Sequence, residues 1–281
     1  MRSSCEYIRG DHSPRLLFGR GYYVELNQFS RILLLLGADS RRSYPSNQLA
    51  EDLGLTPAKT RGLTTLARGF DLINRSSILL TPIGRAIAIS DTFFDDIGTL
   101  WFMHYTVSSE PRILVWNRLA NRVVPSKEEF TLTQFRVHLD DTRNGHAEYS
   151  GEYHVKRESL TVLRAYTEER FSRLGYLRVC DGLYGLGYRE PVPPLVLAAS
   201  IARFRDQHRP GATALTIMEL LESENGPGRV FQLGEDRLRA GLEALKAEPG
   251  IALESRADLD QIRLTDDTPD HLWMERYYAS R

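Results

Sequence analysis

The stretch YPSNQLAEDLGLTPAKTRGLTTLARGFDLINRSSILLTPIGRAIAI, residues 44–89, decides the fold. Leu49, Ala50 and Leu53 share one face of a short helix, and Gly54 stops it with a residue that accepts the left-handed conformation. The Thr56 hydroxyl can cap the next helix, and Pro57 suits its first position because the amide it lacks would be unpaired there. The spacing predicts that helix to about Arg68, ending at Gly69. Leu63, Leu66, Ala67 and Phe70 fall on its inner face, which leaves Arg61, Thr64, Thr65 and Arg68 on the outer one. Leu72 and Ile73, the polar turn Asn74-Arg75-Ser76-Ser77, and Ile78 to Leu80 predict a short hairpin, the wing. Thr81-Pro82 repeats the cap-and-proline signal and opens a further helix. The whole reads as a winged helix-turn-helix, which can place one helix in a DNA groove or serve as a protein-docking module.

Charge is distributed to match. The chain of 281 residues has a net charge of -1, but residues 1–90 carry 12 Lys and Arg against 7 Asp and Glu, a net +5, whereas residues 211–281 carry 8 against 14, a net -6. The basic end holds the winged helix, as phosphate binding requires; a solvated basic face is the competing reading. The candidate contacts with double-stranded DNA are Lys59, Thr60, Arg61, Thr64, Thr65 and Arg68 on the helix, Arg75 in the wing, and Arg15 and Arg20 in the polar, basic arm of residues 1–21. Arginine heavily outnumbers lysine, and its planar fork grips phosphate and guanine edges with two hydrogen bonds.

Several classes are excluded. Cys5 and Cys180 are too few for a disulfide framework or a cysteine-rich zinc site and fit a reducing compartment, so the cytoplasm is expected. The apolar run Ile32 to Leu36 is far short of the roughly 20 residues of a membrane span, and no signal peptide is read. The length favours two or three domains: an arm and winged helix over 1–90, a central helical domain over 91–210, and a C-terminal domain over 211–281. The fold class is mainly α.

Outward from the decisive stretch, Glu25 to Gly37 predicts a first helix whose Leu33–Leu36 run is apolar all round and therefore buried. Phe93, Phe94, Trp101, Phe102, Tyr105 and Trp116 predict two helices with an aromatic core. A helix near Thr133 to Leu139, a polar loop from Asp140 to Gly151, and a long helix from about Val155 to Arg173 follow. A hairpin is expected around Cys180-Asp181-Gly182, then a break at Pro191, Pro193 and Pro194 and a helix to Phe204. The helix-helix-hairpin order then returns in outline: Leu215 to Leu221, Leu233 to Leu245, and Ile251 to Leu253 with Gln261 to Leu264. This is a second, degenerate winged helix, whose mixed charges at Glu235, Asp236, Arg237 and Arg239 suit protein docking better than phosphate.

No phosphate-binding loop, zinc-protease helix, nucleophile elbow or Cys-x-x-Cys pair is present. The densest polar grouping is Asp140, Asp141, His146, Glu148, Glu152 and His154. Asp140, Asp141 and His146 are catalytic candidates, because carboxylates with histidine can hold Mg²⁺ or Mn²⁺ for phosphodiester cleavage; an ordinary solvated loop is the alternative. Glu158 and Asp181 are further isolated acids.

Short motifs in a particular order carry a resemblance. They are Phe18-Gly19-Arg20, Leu80-Thr81-Pro82-Ile83-Gly84-Arg85, Asp91 through Thr99-Leu100-Trp101, His104-Tyr105, Leu163-Arg164-Ala165-Tyr166, and Arg276-Tyr277-Tyr278. In these the chain resembles the prokaryotic domain of unknown function 4007 family. The resemblance implies a DNA-acting component of a single-strand DNA phosphorothioation, or sulfur-modification, antiphage defence cassette. Its partners there would be a cysteine desulfurase, an ATP-dependent sulfur-transfer enzyme and an ATPase, and a nicking role is associated with the family. No nicking residue carries over. The competing readings are a non-catalytic winged-helix transcriptional regulator and a protein-docking scaffold.

Overall fold

The computed structural model describes residues 21–38, 43–126, 129–139, 152–256 and 259–281, and it is mainly α-helical with small antiparallel sheets. The first four helices are α1 (Leu26–Ala38), α2 (Ser46–Leu53), α3 (Pro57–Gly69) and α4 (Pro82–Ser90). Their ends follow the sequence signals. Gly54 closes α2 at φ 62°, the Thr56 side chain caps α3 with Pro57 behind it, and the Thr81 hydroxyl accepts the Gly84 N–H at 2.8 Å at the head of α4. Gly84 also lets α4 cross close to the chain below: a Cβ there would stand 1.9 Å from the Leu72 carbonyl oxygen.

The wing is shorter than expected. Ile73 and Leu80 form a single antiparallel bridge, and the Asn74 N–H donates to Leu79 O, with no longer ladder between them. Leu34 in α1 is 54% exposed, so the Leu33–Leu36 run is not buried on every face: one side of α1 packs against α3 and α4 and the other meets solvent.

Next come α5 (Ile97–Ser108), α6 (Leu114–Arg118), α7 (Val124–Ser126), β1 (Glu129–Phe130), α8 (Leu132–Val137) and α9 (Glu152–Thr167). Phe93 and Phe94 lie in the turn before α5 rather than in a helix. The expected single helix to Arg173 is interrupted: α9 ends at Thr167, and Arg170–Leu174 forms a separate 3₁₀ turn stopped by Gly175. The hairpin β2 (Leu177–Cys180) and β3 (Leu183–Leu186) forms as expected and takes β1 on its free edge. A π-turn, Leu119–Val123, links α6 to α7. Arg229 and Gln232 donate to the carbonyls of Asn121 at 3.0 Å and Ala120 at 3.1 Å, groups that a π-turn takes out of the regular ladder. Buried Asn121 also accepts the Asn225 N–H at 2.7 Å.

The last elements are α10 (Pro194–His208), β4 (Ala214–Thr216), α11 (Ile217–Glu222), α12 (Pro227–Phe231), α13 (Glu235–Ala244), β5 (Ile251–Arg256), β6 (Leu259–Leu264) and α14 (Asp270–Ala279). Leu215 is in a strand rather than a helix, and β4, β6 and β5 make a three-stranded sheet in that order. The C-terminal hairpin, expected from Ile251 to Leu264, is thus part of a three-stranded sheet, whereas the N-terminal one is a single bridge.

One apolar core runs from Val24 to Tyr277. Phe70, at the end of α3, stacks on Phe171 at 5.7 Å and meets Trp116 edge-on and Phe29 at a tilt, which joins the N-terminal helices to the centre. Helix α14 lies against both α10 and α4. Its Tyr277 hydroxyl donates to Asp96 at 2.8 Å, Tyr278 shares a 2.7 Å hydrogen bond with Thr99, and Arg281 pairs with Asp96. Asp96 in turn caps α5 by accepting the N–H groups of Gly98 and Thr99.

At the centre, His104 is fully buried among Trp101, Tyr166, Tyr176 and Phe231. Its Nε2–H donates to Val230 O at 3.1 Å and its Nδ1 accepts from the Tyr166 hydroxyl, so the ring is neutral in a defined tautomer. Burial lowers its pKa from 6.5 to about 4. The unfolded chain binds this proton below pH 6.5 and the folded chain does not, so the stabilisation is complete above 6.5 and is lost as the pH falls towards 4. By pH 4 the loss should reach about 3 kcal/mol from this group. Urea midpoints from pH 7 to 4 should show a shallower decline in His104→Gln than in the wild type; parallel declines would mean that His104 is not the group responsible.

Candidate nucleic-acid interface

Helix α3 is fixed by its neighbours and its cap. It packs against α1 and α2, burying Leu63, Leu66 and Ala67 as the spacing predicts, and the Lys59 N–H donates to Thr56 Oγ1 at 3.3 Å. Arg61 is exposed and its guanidinium makes no ion pair with a described residue. Half-exposed Thr65 sits one turn later, its hydroxyl donating to Arg61 O at 2.8 Å.

Two other threonines correct the reading of the outer face. Thr60 is 0% and Thr64 3% exposed, so neither presents its side chain to a groove. The apolar stripe is widened because a threonine can satisfy its hydroxyl inside its own helix, here against Thr56 O and Arg61 O, both at 3.1 Å.

The remaining cations are held by other parts of the chain. Lys59 pairs with Glu25 at 3.0 Å and Arg75 with Glu110 at 2.9 Å, while half-buried Arg68 donates from Nε to Asn74 O at 3.2 Å and so props the wing. The Lys59–Glu25 pair is partly accessible, its side chains 29% and 35% exposed, so solvent and salt screen it. Nothing in the local sequence announces these partners, since no acidic residue lies within four positions of Lys59.

Arg15, Arg20, Asp140, Asp141 and His146 lie outside the described residues. Glu158 is buried in α9, whereas Asp181 is exposed at the tip of the β2–β3 hairpin with φ 48°. Among the described residues no three of His, Cys, Asp and Glu gather as a metal ion would require. The C-terminal unit presents a different surface. Arg239 of α13 is taken up by Glu235 at 2.8 Å and by Asp260, and Arg263 by Glu254 at 2.6 Å, leaving Asp236 and Arg237 exposed.

The architecture defines a class: a mainly helical protein with small antiparallel sheets. Within it, the chain is similar to a magnesium-ion-bound crystal structure of SspB, with a TM-score of 0.73 over 94% of this chain and 94% of that one at 14% identity. A second SspB crystal structure gives a TM-score of 0.73 over 94% of this chain and 86% of that one at 13% identity. At these identities the likeness establishes the fold. No family model matches the chain, and no curated protein matches it. Among the described residues no helix is long and apolar enough to cross a membrane.

Proposed function

We propose that the chain is a DNA-binding component of a prokaryotic DNA phosphorothioation antiphage defence system, with strand nicking as its associated reaction. This is the role that the resemblance to the domain of unknown function 4007 family implies. It would work in the cytoplasm beside the sulfur-transfer enzyme and the ATPase of the same cassette. The observation that carries the DNA-binding reading is the capped helix α3 with Arg61 exposed on it and unengaged by any described carboxylate, at the basic end of the chain. The likeness to SspB runs along almost the whole chain and is a likeness of fold. The C-terminal winged helix is assigned to protein contact, because Glu235 and Asp260 neutralise Arg239 on α13.

The test is Arg61→Ala. Its removal should weaken duplex binding by about 1 to 3 kcal/mol if it reads a base, or lower the salt-dependence slope by about one if it holds a phosphate. Unchanged affinity and slope in Arg61→Ala and in Arg61→Ala with Thr65→Ala would remove α3 from the interface.

A further inference from the structure

A cavity of about 470 Å³ opens between the 188–194 segment, the first turn of α10 and one face of α13. Its size falls within the roughly 300 to 1,000 Å³ that small-molecule sites span. The walls are aromatic and aliphatic: Trp101 and Phe231 are buried, Leu197 packs between them and α13, and Tyr188, 94% exposed, belongs to the mouth.

Two cations line it. Arg189 is half-buried and braced by donating to the carbonyls of Phe231 and Gln232. Arg237 is exposed on α13 and forms no ion pair with a described residue. They are close enough that Arg237 adds to the effect of burial in lowering the Arg189 pKa. Two guanidiniums lining one cavity repel each other until an anion enters. The carboxylate of Glu190 also lines the cavity and is exposed, so the wall offers one acceptor beside its donors.

An exposed aromatic ring at the mouth, two guanidiniums and one carboxylate together match a ligand with a planar heteroaromatic part, an anionic part and a donor edge. A nucleotide has all of these.

We propose that this cavity binds a nucleoside monophosphate unit, either as a free nucleotide or as a single nucleotide turned out of a DNA strand. Arg189 and Arg237 hold the phosphate, Tyr188 stacks on the base, and Glu190 accepts from it. The strand-borne form rests on the DNA-binding reading above; the free form does not.

The experiment has two arms. In calorimetry with the full chain, a deoxynucleoside monophosphate should bind, while inorganic phosphate alone and the matching nucleoside should each bind at least roughly tenfold more weakly. Arg237→Ala should weaken the nucleotide by roughly tenfold or more, and Ala240→Trp, a change at an exposed position that fills the cavity, should abolish binding with the melting temperature preserved. In the second arm, a duplex carrying one unpaired 2-aminopurine should change its emission on binding to the wild type and not to Ala240→Trp. No binding by any of the four deoxynucleoside monophosphates at millimolar concentration, together with an unaltered 2-aminopurine signal in a duplex that does bind, overturns the cavity assignment and leaves the α3 assignment standing. Nucleotide binding without any duplex affinity supports the cavity and overturns the DNA-binding reading. Binding that persists unchanged in both variants places the nucleotide elsewhere and overturns the proposal.

Discussion

Replacing Arg203 with methionine should lower the folding free energy by about 3 to 5 kcal/mol, more than any single surface change. Arg203 is buried in α10, and its Nη1 donates to Asp71 at 2.9 Å and to Asp270 at 2.7 Å. Asp71 lies two residues past the end of α3, with φ 57°, and Asp270 opens α14, so one guanidinium ties the segment after α3, the helix α10 and the last helix together. Burial raises the pKa of both acids; in Asp270 the bonds from His271 and Arg203 outweigh it and leave the carboxyl below its usual range, whereas Asp71 stays above. Without Arg203 the partly buried Asp71 carboxylate loses its cation, and Asp270 keeps only the His271 contacts. The deficit should be greatest at neutral pH and shrink towards pH 4 as the acids take up protons, since a group whose folded pKa is raised destabilises as the pH rises through it. Adding Asp71→Asn and Asp270→Asn to Arg203→Met should recover part of the loss. A methionine variant that melts with the wild type would show that the three elements are not held this way.

The second large effect is on cleavage. Asp140→Ala with Asp141→Ala should abolish nicking of supercoiled DNA while leaving duplex affinity and thermal stability within about 0.5 kcal/mol. The expectation comes from the sequence, where these two acids and His146 form the closest grouping of metal-capable side chains, and it falls outside the described residues. The helix α3 supplies threonine and arginine, which can hold a phosphate but offer no carboxylate pair. Wild-type nicking by the double variant would move the site elsewhere. Asp181 would then be tested first, because it is exposed at a hairpin tip while Glu158 is buried.

What the sequence made legible was local. Caps, prolines and glycines set the ends of α2, α3 and α4 because each acts within one helical turn of itself. Three-and-four spacing identified Leu63 and Leu66 as core for the same reason. The outer face of α3 was only partly legible. Thr60 and Thr64 are polar by type yet buried, since their hydroxyls bond within the helix, and Lys59 and Arg75 answer to Glu25 and Glu110, which lie 34 and 35 residues away. Strand β4 was read as helix because Leu215 to Leu221 carries no break between the strand and α11; its pairing with β6, from Ala214 opposite Arg263 to Thr216 opposite Gln261, is a long-range contact that periodicity does not register. Residues far apart in the sequence meet in space, His104 with Tyr166 and Thr99 with Tyr278, which spacing along the chain does not show.

Duplex binding through α3 is tested by the affinity of the full chain for a duplex as salt is raised from about 50 to 200 mM. The expected result is an affinity that falls linearly on logarithmic axes, with a slope reduced by about one in Arg61→Ala. A duplex affinity that is absent, or that does not change with salt, would contradict it.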